Sequence, residues 1–115
     1  MNQSVKLTSL QWGVVGLAVL TAVIHLVLGL GAAEPMFMIL FVLNGIGYIV
    51  LTAALYFLQP FAANRSLIRW TLIGFTAVTV ILYFVFNGAD AFQSVFGLVD
   101  KAIEVGLIIL LSLDR

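Results

Sequence analysis

The sequence predicts an all-α fold, a four-helix up-down-up-down transmembrane bundle, and three observations predict it. The chain of 115 residues is 63% apolar and only 9% charged, where soluble domains run nearer half apolar and about a quarter charged. Four apolar stretches are each long enough to cross a hydrocarbon core of about 30 Å at a rise of about 1.5 Å per residue. The connections between them are short, so consecutive helices must be antiparallel neighbours. Strands are excluded, because the runs are too long and lack the period-2 alternation of a barrel.

The first helix is expected over residues 9–31. Gly31-Ala32-Ala33 has the small residues of a signal-peptide cleavage site. However, the apolar run before it exceeds the usual length of about 7–15 residues, so an uncleaved helix is expected. The second helix is expected over 36–58, after the tight connection Gly31–Pro35, with Pro35 suited to a first turn. Gln59–Ser66 is the longest polar loop, and the third helix follows over 67–86. Asn87-Gly88-Ala89-Asp90 reads as a turn, and the fourth helix runs over 93–113. Residues 1–115 form a single integral membrane domain, with no linker, repeat or low-complexity tract.

Orientation follows from the basic residues near the helix ends. Lys6, Arg65, Arg69 and Arg115 fall on the N-terminal side, whereas the opposite side carries only Glu34 and Asp90. Both termini are therefore expected in the cytoplasm, in a multi-pass protein of the cell membrane. Trp12 and Trp70 fall on the same side, where an aromatic belt is expected. Asn2-Gln3-Ser4 and Asn64-Arg65-Ser66 match the glycosylation pattern but lie on the cytoplasmic side of this topology. Tyr83, Phe84, Phe86, Phe92 and Phe96 gather at the outer side, as an interfacial rim or a docking surface for a larger subunit.

Five side chains are costly at their expected depth: His25, Asn44, Asp100, Lys101 and Glu104. Counted from the outer side, His25 lies about 9 Å deep, Asp100 about 10 Å, Lys101 about 12 Å, Asn44 about 15 Å and Glu104 about 16 Å. They come from the first, second and fourth helices and converge between the outer interface and the midplane. His25 sits on a stripe of small residues with Ala18, Thr21, Ala22 and Gly29. Asn44, Tyr48 and Thr52 form a polar stripe at spacing four. Asp100 and Glu104 share a face, and Lys101 can reach Glu104.

The plain reading is structural. Lys101 pairs with Glu104 or Asp100, His25 donates to a carboxylate or a backbone carbonyl, and Asn44 bridges helices. Three functional readings compete with it. Asp100, Glu104 and His25 can relay protons or ions. The same three can ligate a metal, although one imidazole with carboxylates matches no recognised His spacing. His25 can ligate a haem, one axial ligand per chain.

Other chemistries are excluded or unsupported. Cys is 0, so there is no disulfide, thiolate metal site or cysteine nucleophile. Net charge is +0, which gives no footprint for nucleic acid. No phosphate-binding or dinucleotide fingerprint is present. The helix Ser and Thr residues lack a base at readable spacing, so no catalytic residue, metal or cofactor is expected.

Ile24-His25-Leu26-Val27-Leu28-Gly29, Phe41–Tyr48 and Val99-Asp100-Lys101-Ala102-Ile103-Glu104-Val105, together with Leu10-Gln11-Trp12 and Asp114-Arg115, resemble small four-helix membrane proteins of archaea, chiefly haloarchaea. The resemblance implies the four-helix fold and a His–Asp–Lys–Glu pattern, and it implies no activity. The loops depart from a halophilic surface, since Glu34, Asp90 and Asp114 are their only acids.

The expected role is non-enzymatic: an accessory or structural subunit of a larger membrane complex, or a homo-oligomer, in a lipid bilayer. The alternative is a proton or ion transporter working through His25, Asp100, Lys101 and Glu104. The third is a haem or redox-cofactor carrier using His25.

Overall fold

The computed structural model describes residues 6–115, so Asn2-Gln3-Ser4 lies outside the described residues. Four α-helices account for most of it: α1 (Ser9–Leu30), α2 (Pro35–Tyr56), α3 (Arg65–Asn87) and α4 (Val95–Leu113). They match the expected stretches to within a few residues. Each packs on its neighbour in chain order, and α4 closes against α1, as an up-down-up-down bundle requires.

Local chemistry sets the helix ends. Thr8 and Gln11 form a reciprocal capping box, each side chain satisfying the other's backbone N–H at 3.1 Å. Pro35 opens α2, where a missing N–H costs nothing. Ser94 caps α4 by accepting from the Gly97 N–H at 3.0 Å. The two longer connections are not plain loops. Gln59–Asn64 and Gly88–Phe92 are tight 3-10 turns, and the first carries the chain directly into α3 at Arg65. Gly88 ends α3 with φ of 55°, a left-handed conformation that favours glycine.

Among the described residues, three segments are long and apolar enough to cross a membrane: α1, α2 and the stretch Pro60–Phe92 that contains α3. With 22 residues, α1 spans about 33 Å. The fourth helix is shorter, 19 residues, and carries Asp100, Lys101 and Glu104. Its three charged residues, and not its average apolarity, set it apart from the other three.

Side chains sort as a lipid-facing bundle requires. Val14, Ala18, Ala22, Tyr48, Leu72, Leu107 and Leu111 form the core. Val27, Leu43, Ile81, Val85 and Ile109 stand more than half exposed on the outside. Such an exposed apolar belt is compatible with a membrane protein.

Small residues let α1 and α2 meet closely. A Cβ on Gly45 would lie 2.9 Å from the Ala22 carbonyl oxygen and 2.8 Å from Leu26. Such close backbone approach is how helices associate where hydrophobic driving force is lacking. Gly45→Ala is therefore expected to lower stability by about 1–3 kcal/mol through overpacking. Gly16, whose Cβ would meet nothing within 4 Å, is the control. Gly16→Ala should be neutral or gain up to about 1 kcal/mol of helix propensity. Denaturant unfolding in detergent measures both, and equal losses at the two positions would refute the close-packing account.

Candidate functional site: a buried ionic cluster

His25 sits on the inner face of α1 with Thr21 one turn before it, and both are buried, at 3% and 0% exposure. The ring Nδ1 lies 2.8 Å from the Thr21 carbonyl oxygen. A carbonyl only accepts, so Nδ1 carries the proton and donates. In the neutral ring, Nε2 is then a lone pair. The Thr21 hydroxyl, also 3.3 Å from Nδ1, donates its own proton to Asp100 Oδ1 at 2.7 Å.

The fourth helix supplies the charges. Asp100 and Glu104 are one turn apart and point the same way, and Lys101 lies between them in sequence. Lys101 Nζ is 3.2 Å from Asp100 Oδ2 and pairs closely with Glu104 Oε1. Both pairings anticipated from spacing are thus made at once. Glu104 Oε1 accepts no hydrogen bond in a good direction, so its partner is the ammonium charge. Glu104 Oε2 accepts from Tyr48 Oη on α2 at 2.6 Å. Asp100, Lys101 and Glu104 are 3%, 7% and 0% exposed.

The third helix closes the site through an aromatic ring. Lys101 Nζ lies 5.0 Å from the centre of the Tyr83 ring, a cation–π distance. Tyr83 can lie so close to α4 because Gly97 faces it, and a Cβ there would collide with its hydroxyl. The Tyr83 hydroxyl donates to the Ala91 carbonyl at 2.6 Å. All four helices thus contribute to one enclosed centre.

His25 Nε2 faces Asp100 Oδ2 at 3.7 Å and Glu104 Oε2 at 3.8 Å. Both distances are too long for hydrogen bonds. The imidazole therefore meets the acids of the closing helix, as the depth count anticipates. This orientation bears on the haem reading. A haem iron needs the axial nitrogen directed at an open slot, and here two carboxylates stand in front of it.

Asn44 does not join the cluster. Its amide donates to Thr79 Oγ1 on α3 at 2.8 Å, and Thr79 donates on to the Phe75 carbonyl at 2.9 Å. It bridges helices and makes no hydrogen bond to the ionic centre. Thr21, Tyr48 and Tyr83 hold the centre together without being picked as site residues in the sequence. A weak signal was available, since Thr21 precedes His25 by four and Tyr48 stands on the polar stripe of α2.

A second polar centre ties the opposite end of the bundle. The Asp114 carboxylate accepts from Gln11 Nε2 at 3.0 Å, Tyr56 Oη at 2.6 Å and Arg65 Nη2 at 2.7 Å. Burial pushes the Asp114 carboxyl up, but the bonds from Tyr56, Gln11 and Arg65 outweigh it and hold the group below the usual carboxylate range. Arg69, only 8% exposed, donates to the Leu111 carbonyl at 2.7 Å. That carbonyl is one of the last-turn acceptors a helix leaves unsatisfied.

Comparison of the chain with family models, with curated proteins and with solved structures finds no match in any of the three.

Proposed function

We propose that this small membrane protein is a non-enzymatic integral subunit, accessory or structural, of a membrane complex or homo-oligomer, with both termini in the cytoplasm. The observation that carries this reading is the closure of its charges. His25, Asp100, Lys101, Glu104 and Tyr48 are at most 7% exposed, and the acids are paired with Lys101 and Tyr48. The bonds that Tyr48 of α2 and Thr21 of α1 make to these buried acids of α4 fix how the helices meet, and the centre offers no surface to a substrate. Three segments of membrane length favour action on lipid or on other membrane chains.

The orientation rests on Lys6, Arg65, Arg69 and Arg115 at one end. Arg65 and Arg69 also serve the packing there, so the charge bias and the fold share residues.

The transporter reading draws on the same cluster but requires a water route to Glu104. Two measurements separate the readings. Native mass spectrometry of the protein released from its own membrane is expected to show more than one chain per particle. Proteoliposomes of the purified chain are expected to show no proton flux above protein-free vesicles. A monomer with flux that Glu104→Gln abolishes would overturn the subunit reading and establish transport.

A further inference from the structure

We propose that His25 Nε2, Asp100 Oδ2 and Glu104 Oε2 form a binding site for one first-row divalent cation of the Zn²⁺ class. This goes beyond the subunit role and does not depend on it. Three donor atoms from two helices lie within 4.8 Å of one another. Two of the separations are 3.7 and 3.8 Å. A zinc ion bound at about 2.1 Å by nitrogen and oxygen holds its ligands about 3.4 Å apart. The two sides that meet at His25 need to contract by only a few tenths of an ångström, and the third lies within 4.8 Å.

The unpartnered atom carries the argument. His25 is 3% exposed and its Nδ1–H is committed to the Thr21 carbonyl. In the neutral ring, the Nε2 lone pair is aimed at two carboxylate oxygens, which offer it no proton when ionised. Acceptors facing acceptors in a dry interior are costly. A cation among the three converts each repulsion into a bond.

The surroundings already orient the ligands as a metal site requires. The imidazole is held by its other nitrogen on a backbone carbonyl, Asp100 by the Thr21 hydroxyl on Oδ1, and Glu104 by the Tyr48 hydroxyl. Outer-shell bonds of this kind fix tautomer and angle and are worth about 10–100-fold in metal affinity. Imidazole with carboxylates suits zinc, iron or manganese better than magnesium or calcium.

Charge sets the competitor. With a neutral imidazole, two carboxylates face one ammonium, so the cluster is one positive charge short. Lys101 holds Glu104 through Oε1, the oxygen not facing His25, but reaches Asp100 through Oδ2, the same oxygen that faces the ring, and so competes for that ligand. A divalent ion overshoots neutrality by one while that ammonium stays charged. Removing the ammonium should therefore tighten metal binding.

The test uses the full chain in detergent, stripped with a chelator and then dialysed against Zn²⁺ alone. One Zn²⁺ per chain is expected to remain in the presence of excess Mg²⁺. Co²⁺ in its place should give the visible absorption of a low-symmetry nitrogen–oxygen site. His25→Gln is expected to lose both signals, and Asp114→Asn, at the other end of the bundle, to keep them. In Lys101→Met, Zn²⁺ should raise the melting midpoint by more than it does in the unsubstituted chain. Should Lys101→Met fail to fold, the unsubstituted chain and His25→Gln decide between them. Substoichiometric Zn²⁺ in the unsubstituted chain, or retention unchanged in His25→Gln, overturns the site. So does a ¹⁵N spectrum showing both ring nitrogens of His25 protonated in the presence of Zn²⁺.

Discussion

Lys101→Met is expected to destabilise the bundle by about 3–5 kcal/mol, the usual penalty for removing one partner of a buried ion pair. The ammonium touches both Asp100 and Glu104. Without it, two carboxylates at 3% and 0% exposure share one enclosed site beside His25 Nε2. Tyr48 and Thr21 still donate, but hydrogen bonds from neutral groups do not cancel a second buried charge. The double substitution Lys101→Met with Glu104→Gln removes one charge of each sign. It should recover most of the loss, because neutral replacement of a buried pair is often close to neutral in stability. Unfolding in mixed detergent, with helical circular dichroism as the readout, gives both values. A loss below about 1 kcal/mol for the single substitution would mean that water reaches the acids and the centre is not dry.

Asp114→Ala is expected to be the next largest loss, about 2 kcal/mol, with a dependence on pH. One carboxylate holds Gln11 of α1, Tyr56 of α2 and Arg65 of α3 to the end of α4. The Arg65 side chain is a third exposed, so its share is reduced by water and salt. Because the folded group titrates below its unfolded value, its stabilisation is fully present above about pH 4. It is lost as pH falls through the lower folded value. Unfolding midpoints measured downward from pH 5 should therefore fall more steeply in the unsubstituted chain than in Asp114→Asn. Parallel slopes would show that the carboxylate titrates alike in both states.

Much of the fold is legible because hydropathy and length leave little choice. The runs ending at Gly31 and Leu58 and the breakers at Pro35 and Asn87-Gly88 place the helices to within a turn. The level of the ionic centre is legible too, since counting along helices of fixed rise puts His25, Asp100 and Glu104 all between the outer interface and the midplane. Rotation about each helix axis is harder to read. Asn44 and Tyr48 share a stripe, yet Tyr48 turns to Glu104 while Asn44 turns to Thr79. Spacing states which side chains share a face, and it is silent on which neighbour that face meets. Asp114 and Arg69 mislead for a related reason. One reads as a loop acid and the other as a topogenic charge, but at 7% and 8% exposure both are built into the bundle's end. Their partners lie on other helices, 103 residues away in the case of Gln11, beyond any local pattern.

The charges of α4 also bear on how such a chain is made. Asp100, Lys101 and Glu104 sit within one turn and a half of a helix only 19 residues long. Each ionised residue near mid-bilayer adds about 3 kcal/mol to the expense of leaving the translocon for lipid. In the proposed topology, the last segment is therefore a poor autonomous inserter. Its entry becomes favourable once Thr21, Tyr48 and Tyr83 are already in place to receive its charges. Biogenesis then has an order written into it: the first three segments form a receptacle, and the fourth is threaded into protein rather than into oil.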